Sequence, residues 1–367
     1  MSTSSVFLAG ARSAARQAAR HAADADARRG LHPEVVESLV DAGFARRFVP
    51  VSFGGEPLTF AELTEAVSAV GEGCASAAWI ASLMAYNGRF ATFLPQEGQK
   101  EVWADGPDTR FASGLVPHGS ADAVPGGWRI SGTWSYVSGA EIADWILLLV
   151  PASDTGTQPA RFVAVEAAEC TVNSTWFTLG MRGTASHSLT CDKVFVPGHR
   201  SFLAEDMFAG RNQVSDVAPS NMPLFAVAGL TFGAPVMGAA RAAVGLAAES
   251  LAGVPGRPAK EAQQLSFARA AAEVEAASLL MTRMATTADG GIPDARTVAR
   301  SRRDGAYAAQ MFHGAVDQLF RGTGMRGQSD GDPLQRIWRD VQGAVRHGGL
   351  SFEPAALAYT QSLVSDG

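Results

Sequence analysis

The segment Gln318–His347 reads QLFRGTGMRGQSDGDPLQRIWRDVQGAVRH and holds the most informative pattern of the chain. Four glycines between residues 322 and 331 predict a turn, because glycine adopts backbone conformations that other residues avoid. Pro333 then predicts the start of a helix, since proline is tolerated in the first helical turn. This helix carries Arg336, Arg339 and Asp340. The segment therefore predicts a glycine-rich turn leading into a charged helix that ends near His347.

The composition is that of an ordinary globular protein. The 367 residues are 47% hydrophobic and 18% charged, and this length is sufficient for a sizeable core. A net charge of -6, without any basic run, argues against nucleic-acid binding. No apolar run reaches the roughly 18 residues that a membrane-spanning helix needs. Among residues 1–30 the basic residues alternate with Asp and Ala, which favours an amphipathic helix over a targeting signal.

The spacing of cysteine and histidine gives no disulfide or metal pattern. The cysteines are Cys74, Cys170 and Cys191. Their scatter predicts a reducing cytoplasm and buried apolar thiols. No spacing typical of metal ligands is found among His21, His32, His118, His199 and His313. The sequence therefore predicts no metal site.

The hydrophobic period changes along the chain. Residues 1–108 are Ala-rich and helix-periodic, and Gly43 is expected to end one of their helices. Residues 60–94 predict two helices that are broken around residues 71–73. Residues 109–205 contain short β-branched and aromatic runs between Gly, Ser and Pro, which predicts a compact β domain.

Residues 206–367 return to a helical pattern. The expected helices cover residues 233–252, 260–288, 295–320 and 333–347. We expect these helices to form a four-helix bundle, and the polar segment 204–222 is a candidate linker. Helices, then strands, then helices give an α+β fold class.

Three further segments carry a family resemblance. They are LVDAGFARRFVPVSFGGEPLTFAELTEAVSAVG (39–71), ISGTWSYVSGAEIADWILL (130–148) and LGMRGTASHSLTCDKVFVP (179–197). Together with the glycine-rich turn and its charged helix, they resemble the acyl-CoA dehydrogenase-like superfamily, in the same order and over nearly the whole chain. The resemblance implies an N-terminal helical domain, a central β domain and a C-terminal four-helix bundle.

The same motifs indicate a branch within that superfamily. In one large group of dehydrogenases a catalytic Glu lies two residues before the proline, but here the position is Gly331, which has no side chain to accept a proton. WSYVSG (134–139) and the helix ending at His347 resemble the two-component, reduced-flavin-dependent monooxygenases. RHGGLSFEP (346–354) also departs from the dehydrogenase pattern. The resemblance therefore implies oxygen chemistry.

The resemblance also implies where a flavin would lie. Backbone at Ser113–Gly114 and Ser138–Gly139 would approach the isoalloxazine ring, and Trp134 would form a flat apolar wall. A donor near flavin N5, exclusion of water and the absence of a competing proton leak favour a productive reaction with oxygen, and the Ser138 hydroxyl would bond N5. The alternative for residues 134–139 is a plain strand that ends in a turn.

Further flavin contacts follow from the resemblance alone. The expected contacts to the flavin phosphate or ring are Arg182, Thr184 and Ser186. A turn capped by Ser and Thr explains the same pattern, and His187 beside it is a substrate contact or an ordinary histidine. Arg257 and Gln264 are expected near the distal part of the flavin. The turn at Gly324 is expected to approach the flavin of a neighbouring subunit, which implies a homotetramer.

His347 is the expected acid–base residue. Imidazole titrates near neutral pH and can take the proton of a phenol, which makes the substrate a better nucleophile. The alternative is a histidine that only balances the dipole at a helix end. The apolar stretch 222–238 lines a substrate cavity or belongs to the core.

The sequence therefore predicts an oxygenase that takes reduced FMN or FAD from a separate reductase and hydroxylates an organic molecule with O2. Aromatic or polyketide substrates of secondary metabolism are expected, and oxygenation of an amino-sugar nitrogen is an alternative. No GxGxxG follows a strand, which fits a separate reductase. Two other hypotheses are an acyl-CoA dehydrogenase with Asp330 or Asp332 as base, and a non-catalytic subunit that binds a partner.

Overall fold

The computed structural model describes residues 3–56, 58–152, 158–215, 217–252 and 260–364. Helices form the first part of the chain. They are α1 (Thr3–Arg20), α2 (Ala22–Arg28), α3 (Pro33–Asp41), α4 (Phe60–Gly73), α5 (Ala75–Ala91) and α6 (Gln96–Val102). The break between α4 and α5 lies at Cys74, directly after the glycines that predicted it.

The ends of these helices have local causes in the sequence. Gly43 follows α3 with φ +86°, so the predicted glycine end of this helix is confirmed. Thr59 and Glu62 form a capping box at the start of α4, in which each side chain binds the other residue's backbone N–H. The local sequence therefore fixes where the N-terminal helices begin and end.

Helix α5 is buried along its whole length. It packs against α4, α8 and strand β1 of the next region. Because the helix is enclosed on every side, its polar residues must find partners within the protein. This position brings Trp79 and Leu83 of α5 against both the β region and the C-terminal helices.

The strands of the described residues form two four-stranded sheets. They are β1 (Phe111–Gly114), β2 (Ser120–Val124), β3 (Gly127–Val137), β4 (Trp145–Val150), β5 (Arg161–Glu166), β6 (Thr171–Asn173), β7 (His187–Pro197) and β8 (Ser201–Leu203). One sheet has the order β1-β4-β5-β8 and the other β2-β3-β7-β6. The β1–β4 pair is parallel and the other pairs are antiparallel. All eight strands lie within the range expected to be β.

The two sheets share one apolar core. Its fully buried residues include Ile130 and Trp134 of β3, Leu148 of β4, Val163 of β5 and Leu189 of β7. Because these residues come from both sheets, the sheets pack face to face. The ends of the strands lie outside this core and can contact the helices.

The C-terminal part of the chain is helical again. Its helices are α7 (Ala204–Ala209), α8 (Leu224–Ala252), α9 (Glu261–Asp289), α10 (Ala295–Arg321), α11 (Pro333–Ala344) and α12 (Phe352–Val364). Helices α8, α9, α10 and α11 correspond to the four that the sequence predicts, whereas α7 and α12 were missed. The predicted linker at 204–222 contains α7.

Helix α8 begins at Leu224, earlier than the predicted residue 233. Its first half contains glycines and Pro235, which read as helix breakers, but burial within the bundle holds the helix together. A Cβ on Gly229 would lie 2.9 Å from the Cα of Gly305 in α10, so glycine allows the two helices to approach closely. Among the described residues, α8 is the one helix long and apolar enough to cross a membrane, yet 83% of its apolar window is buried within the protein. This burial is typical of the core helix of a soluble protein.

Candidate active site

A cavity of about 510 Å³ lies where α5, the β region and the segment after α11 meet. Its apolar and aromatic lining is Trp79, Leu83, Leu115, Val116, Tyr136, Trp176, Met181 and Phe232. Its polar lining includes Ser113, Ser135, Ser138, Thr184, Ser186, Arg346 and His347. The structure thus brings five predicted site residues, Ser113, Ser138, Thr184, Ser186 and His347, to one cavity.

A chain of hydroxyl groups runs along one wall of this cavity. Ser138 Oγ lies 2.6 Å from Ser186 Oγ, which lies 2.6 Å from Thr184 Oγ1. Thr184 Oγ1 in turn donates to the carbonyl oxygen of Met181 at 2.9 Å. A carbonyl oxygen only accepts, so the remaining protons point the same way, from Ser138 to Ser186 and from Ser186 to Thr184.

This order makes Ser138 an acceptor toward the cavity. Ser138 donates its own proton to Ser186, and its oxygen already accepts a hydrogen bond from Trp79 Nε1 at 3.3 Å. The remaining lone pair can accept one more hydrogen bond. Ser113 is also an acceptor toward the cavity, because its hydroxyl proton is donated to Asn87 Oδ1 at 2.9 Å. Both serines therefore present acceptors, not donors, to a bound molecule.

His347 lies between two aromatic rings at the other side of the cavity. Its ring centroid is 3.7 Å from that of Phe232 and 5.5 Å from that of Trp79. Gly349 N donates to His347 Nδ1 at 3.1 Å. Removal from water lowers the pKa of His347 from 6.5 to about 4. The ring is therefore neutral at pH 7, with Nδ1 as the acceptor and the proton on Nε2.

The loop between β6 and β7 forms another wall, and His187 fixes its position. His187 Nδ1 accepts from the backbone N–H groups of Thr175 and Trp176, each at 3.1 Å. The indole of Trp176 donates to the carbonyl of Met181 at 2.9 Å. Met181 has φ +54°, a conformation that a side chain of this size rarely adopts. The structure therefore makes His187 an anchor for the loop, next to but outside the cavity.

An irregularity in β3 decides which side chains reach the cavity. The register of β3 against β7 shifts between Trp134 and Val137, and Tyr136 within the shift has φ +63°. Such a bulge breaks the alternation of strand faces. Ser135, Tyr136 and Ser138 consequently all line the cavity.

The prediction for Trp134 is wrong as a consequence of this bulge. Trp134 is fully buried in the core between the sheets, and its Nε1 donates to Leu149 O at 2.9 Å. Gly114 also faces that core, since a Cβ there would lie 3.1 Å from Trp134 and Leu148. Tyr136, which is 69% exposed, is the aromatic residue of this motif at the cavity.

Other predicted contacts lie outside the cavity of the single chain. Gly139 has φ +72° and donates its N–H to Thr184 O at 3.1 Å, so it supports the wall from behind. Arg182 donates to Thr178 O at 3.1 Å and lies 3.7 Å from Asp26. Gln264 is on α9 and Gly324 is in the short turn after α10. Arg257 lies outside the described residues.

The charged helix α11 supports the cavity wall from below. Arg339 forms two hydrogen bonds of 2.8 Å with Asp26 and a third of 3.0 Å with Leu179 O. Asp340 Oδ1 accepts from Met181 N at 2.6 Å. Burial raises the pKa of Asp340 to about 6. Arg339 thus forms an ion pair with Asp26, while the Asp340 carboxylate binds a backbone N–H.

The candidate bases of a dehydrogenase do not reach the cavity. Gly331 is exposed and Asp330 is exposed beside it. The Asp332 carboxylate caps α11 by accepting from Leu334 N and Gln335 N at 2.8 and 3.1 Å. A capping carboxylate is already engaged, which argues against Asp332 as a proton acceptor.

One group of histidine and glutamate side chains outside the cavity was not expected from the spacing of the histidines in the sequence. Ligand atoms of His21, His32 and Glu34 lie within 4.8 Å of one another. The two imidazole rings are stacked, with centroids 4.1 Å apart and planes 17° from parallel. A metal ion binds in the plane of an imidazole ring, so two stacked rings cannot both face one ion. The arrangement is that of an aromatic stack between α1 and α3.

Comparison with known proteins places the chain in a family. Its residues 6–104 match the N-terminal domain model of acyl-CoA dehydrogenase, and residues 230–352 match the C-terminal domain model. The oxygenase component of FADH(2)-dependent resorcinol hydroxylase from Rhizobium sp. (strain MTP-10005) is 30% identical, over 90% of this chain and 87% of that protein. The chain belongs to the flavin-dependent monooxygenases of the acyl-CoA dehydrogenase superfamily.

Other relatives of this monooxygenase give the same result. The oxygenase subunit HsaA of Mycobacterium tuberculosis is 30% identical over 90% of this chain and 88% of its own. The crystal structure of HsaA superposes with a TM-score of 0.92 at 25% identity, covering 99% of this chain and 98% of HsaA. XiaF from Streptomyces sp., solved with FADH2 and glycerol, has a TM-score of 0.91 at 25% identity, covering 99% and 96%. The predicted fold, flavin dependence and monooxygenase class are confirmed.

The sequence did not reveal the aromatic partners of His347. Trp79 lies inside a helix that is buried throughout, and Phe232 lies in an apolar run that reads equally well as core. Both residues reach His347 only through the packing of α5 against α8. No local motif marks either residue.

Proposed function

We propose that this monooxygenase is the oxygenase component of a two-component system that hydroxylates a small aromatic molecule. A separate reductase supplies the reduced flavin and O2 is the co-substrate. The observation that carries the proposal is the cavity itself, in which the acceptor Ser138 and the neutral imidazole of His347 face one space with aromatic walls. Small-molecule sites commonly combine apolar walls with a few placed polar groups.

The residues at this cavity fit a reduced flavin. Ser138 presents a lone pair, and reduced flavin carries a proton on N5 that needs an acceptor. Tyr136 is 69% exposed and its ring lies 6.2 Å from that of Trp176, so the two rings offer an aromatic surface to a flat ligand. When bound, the reduced flavin supplies the electrons for activating oxygen. FMN and FAD fit this description equally.

His347 acts on the substrate oxygen in this proposal. Because Nδ1 accepts from Gly349, the neutral ring has its proton on Nε2 and donates a hydrogen bond. The predicted role as a base needs an unprotonated Nε2 and a pKa nearer neutrality, whereas burial lowers this pKa to about 4. We therefore propose that His347 donates its Nε2–H to the oxygen of a phenol that has already lost its proton to solvent, and that His347 is not the base.

The walls of the cavity exclude water from the reacting groups. Leu83, Leu115 and Phe232 present apolar surface between Ser113 and His347. A dry site strengthens every hydrogen bond made inside it and limits wasteful reactions of reduced flavin. The apolar lining favours an aromatic substrate over an amino sugar, whose hydroxyl groups would need more polar partners. The names of the relatives, among them resorcinol hydroxylase, support this substrate class.

Several expectations remain part of the proposal. We propose a homotetramer in which the turn at Gly324 approaches the flavin of a neighbouring subunit. Arg257 and Gln264 are proposed near the distal part of the flavin, and Arg182 at its phosphate or ring. Gly324, Gln264 and Arg182 lie away from the cavity of one chain, which is the arrangement that such an assembly needs. We also place the enzyme in the cytoplasm and in secondary metabolism.

The test is a reconstituted reaction with ¹⁸O2. The protein is mixed with NADH, a flavin reductase, FMN or FAD and a panel of phenols, and products are analysed by mass spectrometry. The proposal predicts a hydroxylated phenol that carries one ¹⁸O atom and is formed only when the protein is present. Complete conversion of the reducing equivalents to hydrogen peroxide with every phenol would contradict it.

A further inference from the structure

Two cysteines lie side by side at the edge of one sheet. Cys170 immediately precedes β6 and Cys191 lies on β7, and their sulfurs are 3.4 Å apart. The antiparallel register pairs Thr171 with Thr190, so the cysteines stand directly opposite each other in the next position of the ladder. A disulfide of about 2.05 Å requires the sulfurs to approach by only about 1.4 Å. The spacing of the two residues in the sequence gave no sign of this pair.

The pair is also suited to oxidation. Cys170 is partly exposed, whereas Cys191 is buried beneath it, so an oxidant in solution reaches the pair from the Cys170 side. The two thiols share a hydrogen bond, and this contact lowers the pKa of the Cys191 thiol. Thiolate is the reactive form of cysteine. The third cysteine, Cys74, differs in both respects, because it is buried and burial raises its pKa to about 11.

The segment between the two cysteines is the loop that forms the cavity wall. It contains Trp176, Met181, Thr184 and Ser186, all of which line the cavity. A bond between Cys170 and Cys191 would close this segment into a covalent loop. Closing a loop reduces the conformations available to the residues within it.

We propose that Cys170 and Cys191 form a redox modification site, at which hydrogen peroxide makes a disulfide that restrains the cavity wall. The thiolate of the pair attacks one oxygen of hydrogen peroxide, the O–O bond breaks, and the leaving hydroxide takes a proton to become water. The second thiol then displaces the hydroxyl of the resulting sulfenic acid as a second water. Two thiols are oxidised and one peroxide is reduced. Peroxide is also the product whenever reduced flavin reacts with oxygen without hydroxylating a substrate.

Thiol counting tests the formation of the bond without any flavin, so its outcome is independent of the proposed function. Folded protein is treated with hydrogen peroxide, quenched in denaturant and labelled. The wild-type chain, with three cysteines, should drop from three free thiols to one and lose the mass of two hydrogens. Cys74→Ser should drop from two thiols to none, whereas Cys170→Ser should form no intramolecular disulfide and show no loss of two hydrogens. Three remaining thiols in the wild type, or a bond that includes Cys74, would overturn the proposal.

Hydrogen exchange tests the effect on the wall. Amide exchange across residues 174–186 should slow severalfold in oxidised wild type compared with the reduced form, and dithiothreitol should restore the original rate. Peroxide-treated Cys170→Ser, whose substituted residue is the more exposed of the pair, should show no slowing. A disulfide that leaves exchange in this segment unchanged would refute its restraint on the cavity.

Discussion

Gly349 N donates a hydrogen bond to His347 Nδ1 at 3.1 Å and thereby determines which ring nitrogen carries the proton. The glycine is needed for space as well. A Cβ at residue 349 would lie 2.7 Å from the Phe232 ring and 3.2 Å from His347 Nδ1. The position of the proposed donor therefore depends on a residue that has no side chain.

The exchange Gly349→Ala is expected to displace the stacked rings of Phe232 and His347. We predict a roughly 10- to 100-fold loss of hydroxylation, because small displacements of positioning groups have effects of this size. Gly314→Ala is the matched control, since Gly314 is exposed on α10 and a Cβ there meets no atom within 4 Å. Steady-state hydroxylation and the melting temperature of both variants would check this. Equal activity of the two variants would count against the positioning argument.

The unusual pKa of His347 predicts a pH-dependent stability. The folded-state pKa of about 4 lies below the unfolded value of 6.5, so as pH falls between these values only the unfolded chain takes up the proton. Wild type should lose up to about 3 kcal/mol from this residue across that window. His347→Gln lacks this loss, so its stability relative to wild type should rise as the pH falls from 6.5 to 4. Urea unfolding at several pH values would measure it.

Asp340 provides a comparison with the opposite sign. Its folded-state pKa of about 6 lies above the ordinary aspartate value of 3.8, so wild type gains stability from this residue as the pH falls through that range. Asp340→Asn retains an acceptor for Met181 N but cannot titrate. Its stability relative to wild type should therefore decrease as the pH falls from 6 to 4. A parallel response of the His347 and Asp340 variants would be inconsistent with these assignments.

The ion pair of Arg339 and Asp26 predicts a large effect on stability from residues that do not line the cavity. The two side chains are only 9% and 17% exposed. Asp26→Ala leaves the guanidinium enclosed without its partner and should cost about 3 kcal/mol of unfolding free energy. Arg211→Ala, which removes an exposed pair with Glu205, should cause no measurable loss. Denaturant titration of both variants would distinguish the two environments.

Trp134 and Tyr136 should separate stability from flavin binding. Trp134→Phe removes the donor to Leu149 O from the core and should cost about 2–3 kcal/mol without changing the affinity for reduced flavin. Tyr136→Ala removes an exposed ring at the cavity and should weaken flavin binding about fivefold with little loss of stability. Anaerobic flavin titration and thermal unfolding would test both. If Trp134→Phe weakened flavin binding and Tyr136→Ala did not, the sequence-based interpretation of Trp134 as the wall beside the flavin would be favoured again.

The comparison of these two residues shows what the sequence could predict. Local signals such as Gly43 after α3 and Pro333 at the start of α11 correctly mark where helices end and begin. The strand motif was recognised, but the bulge at Tyr136 reverses the faces of its side chains. Alternation alone cannot reveal a bulge, because the extra residue is defined by pairing with β7.

Long-range packing limited the prediction of the site in the same way. Ser138 and His347 were expected from their motifs and do face one cavity. Ser138 is an acceptor toward the cavity because of its contact with Ser186 and, through Thr184, with Met181. The local sequence around Ser138 encodes none of these contacts. The start of α8 was misplaced because burial in the bundle outweighs the weak helix propensity of its glycines and Pro235.

The most direct test of the central claim is the oxidation of reduced flavin in the presence of the protein. Reduced FMN or FAD is mixed anaerobically with excess protein, an oxygen pulse is given in a stopped-flow instrument, and flavin absorbance and peroxide are measured with and without a phenol. The account predicts a time course distinct from that of free flavin and less peroxide when the phenol is present. Ser138→Ala should move both readouts toward those of free flavin. Oxidation at the protein-free rate, with one peroxide per flavin in every case, would contradict the account.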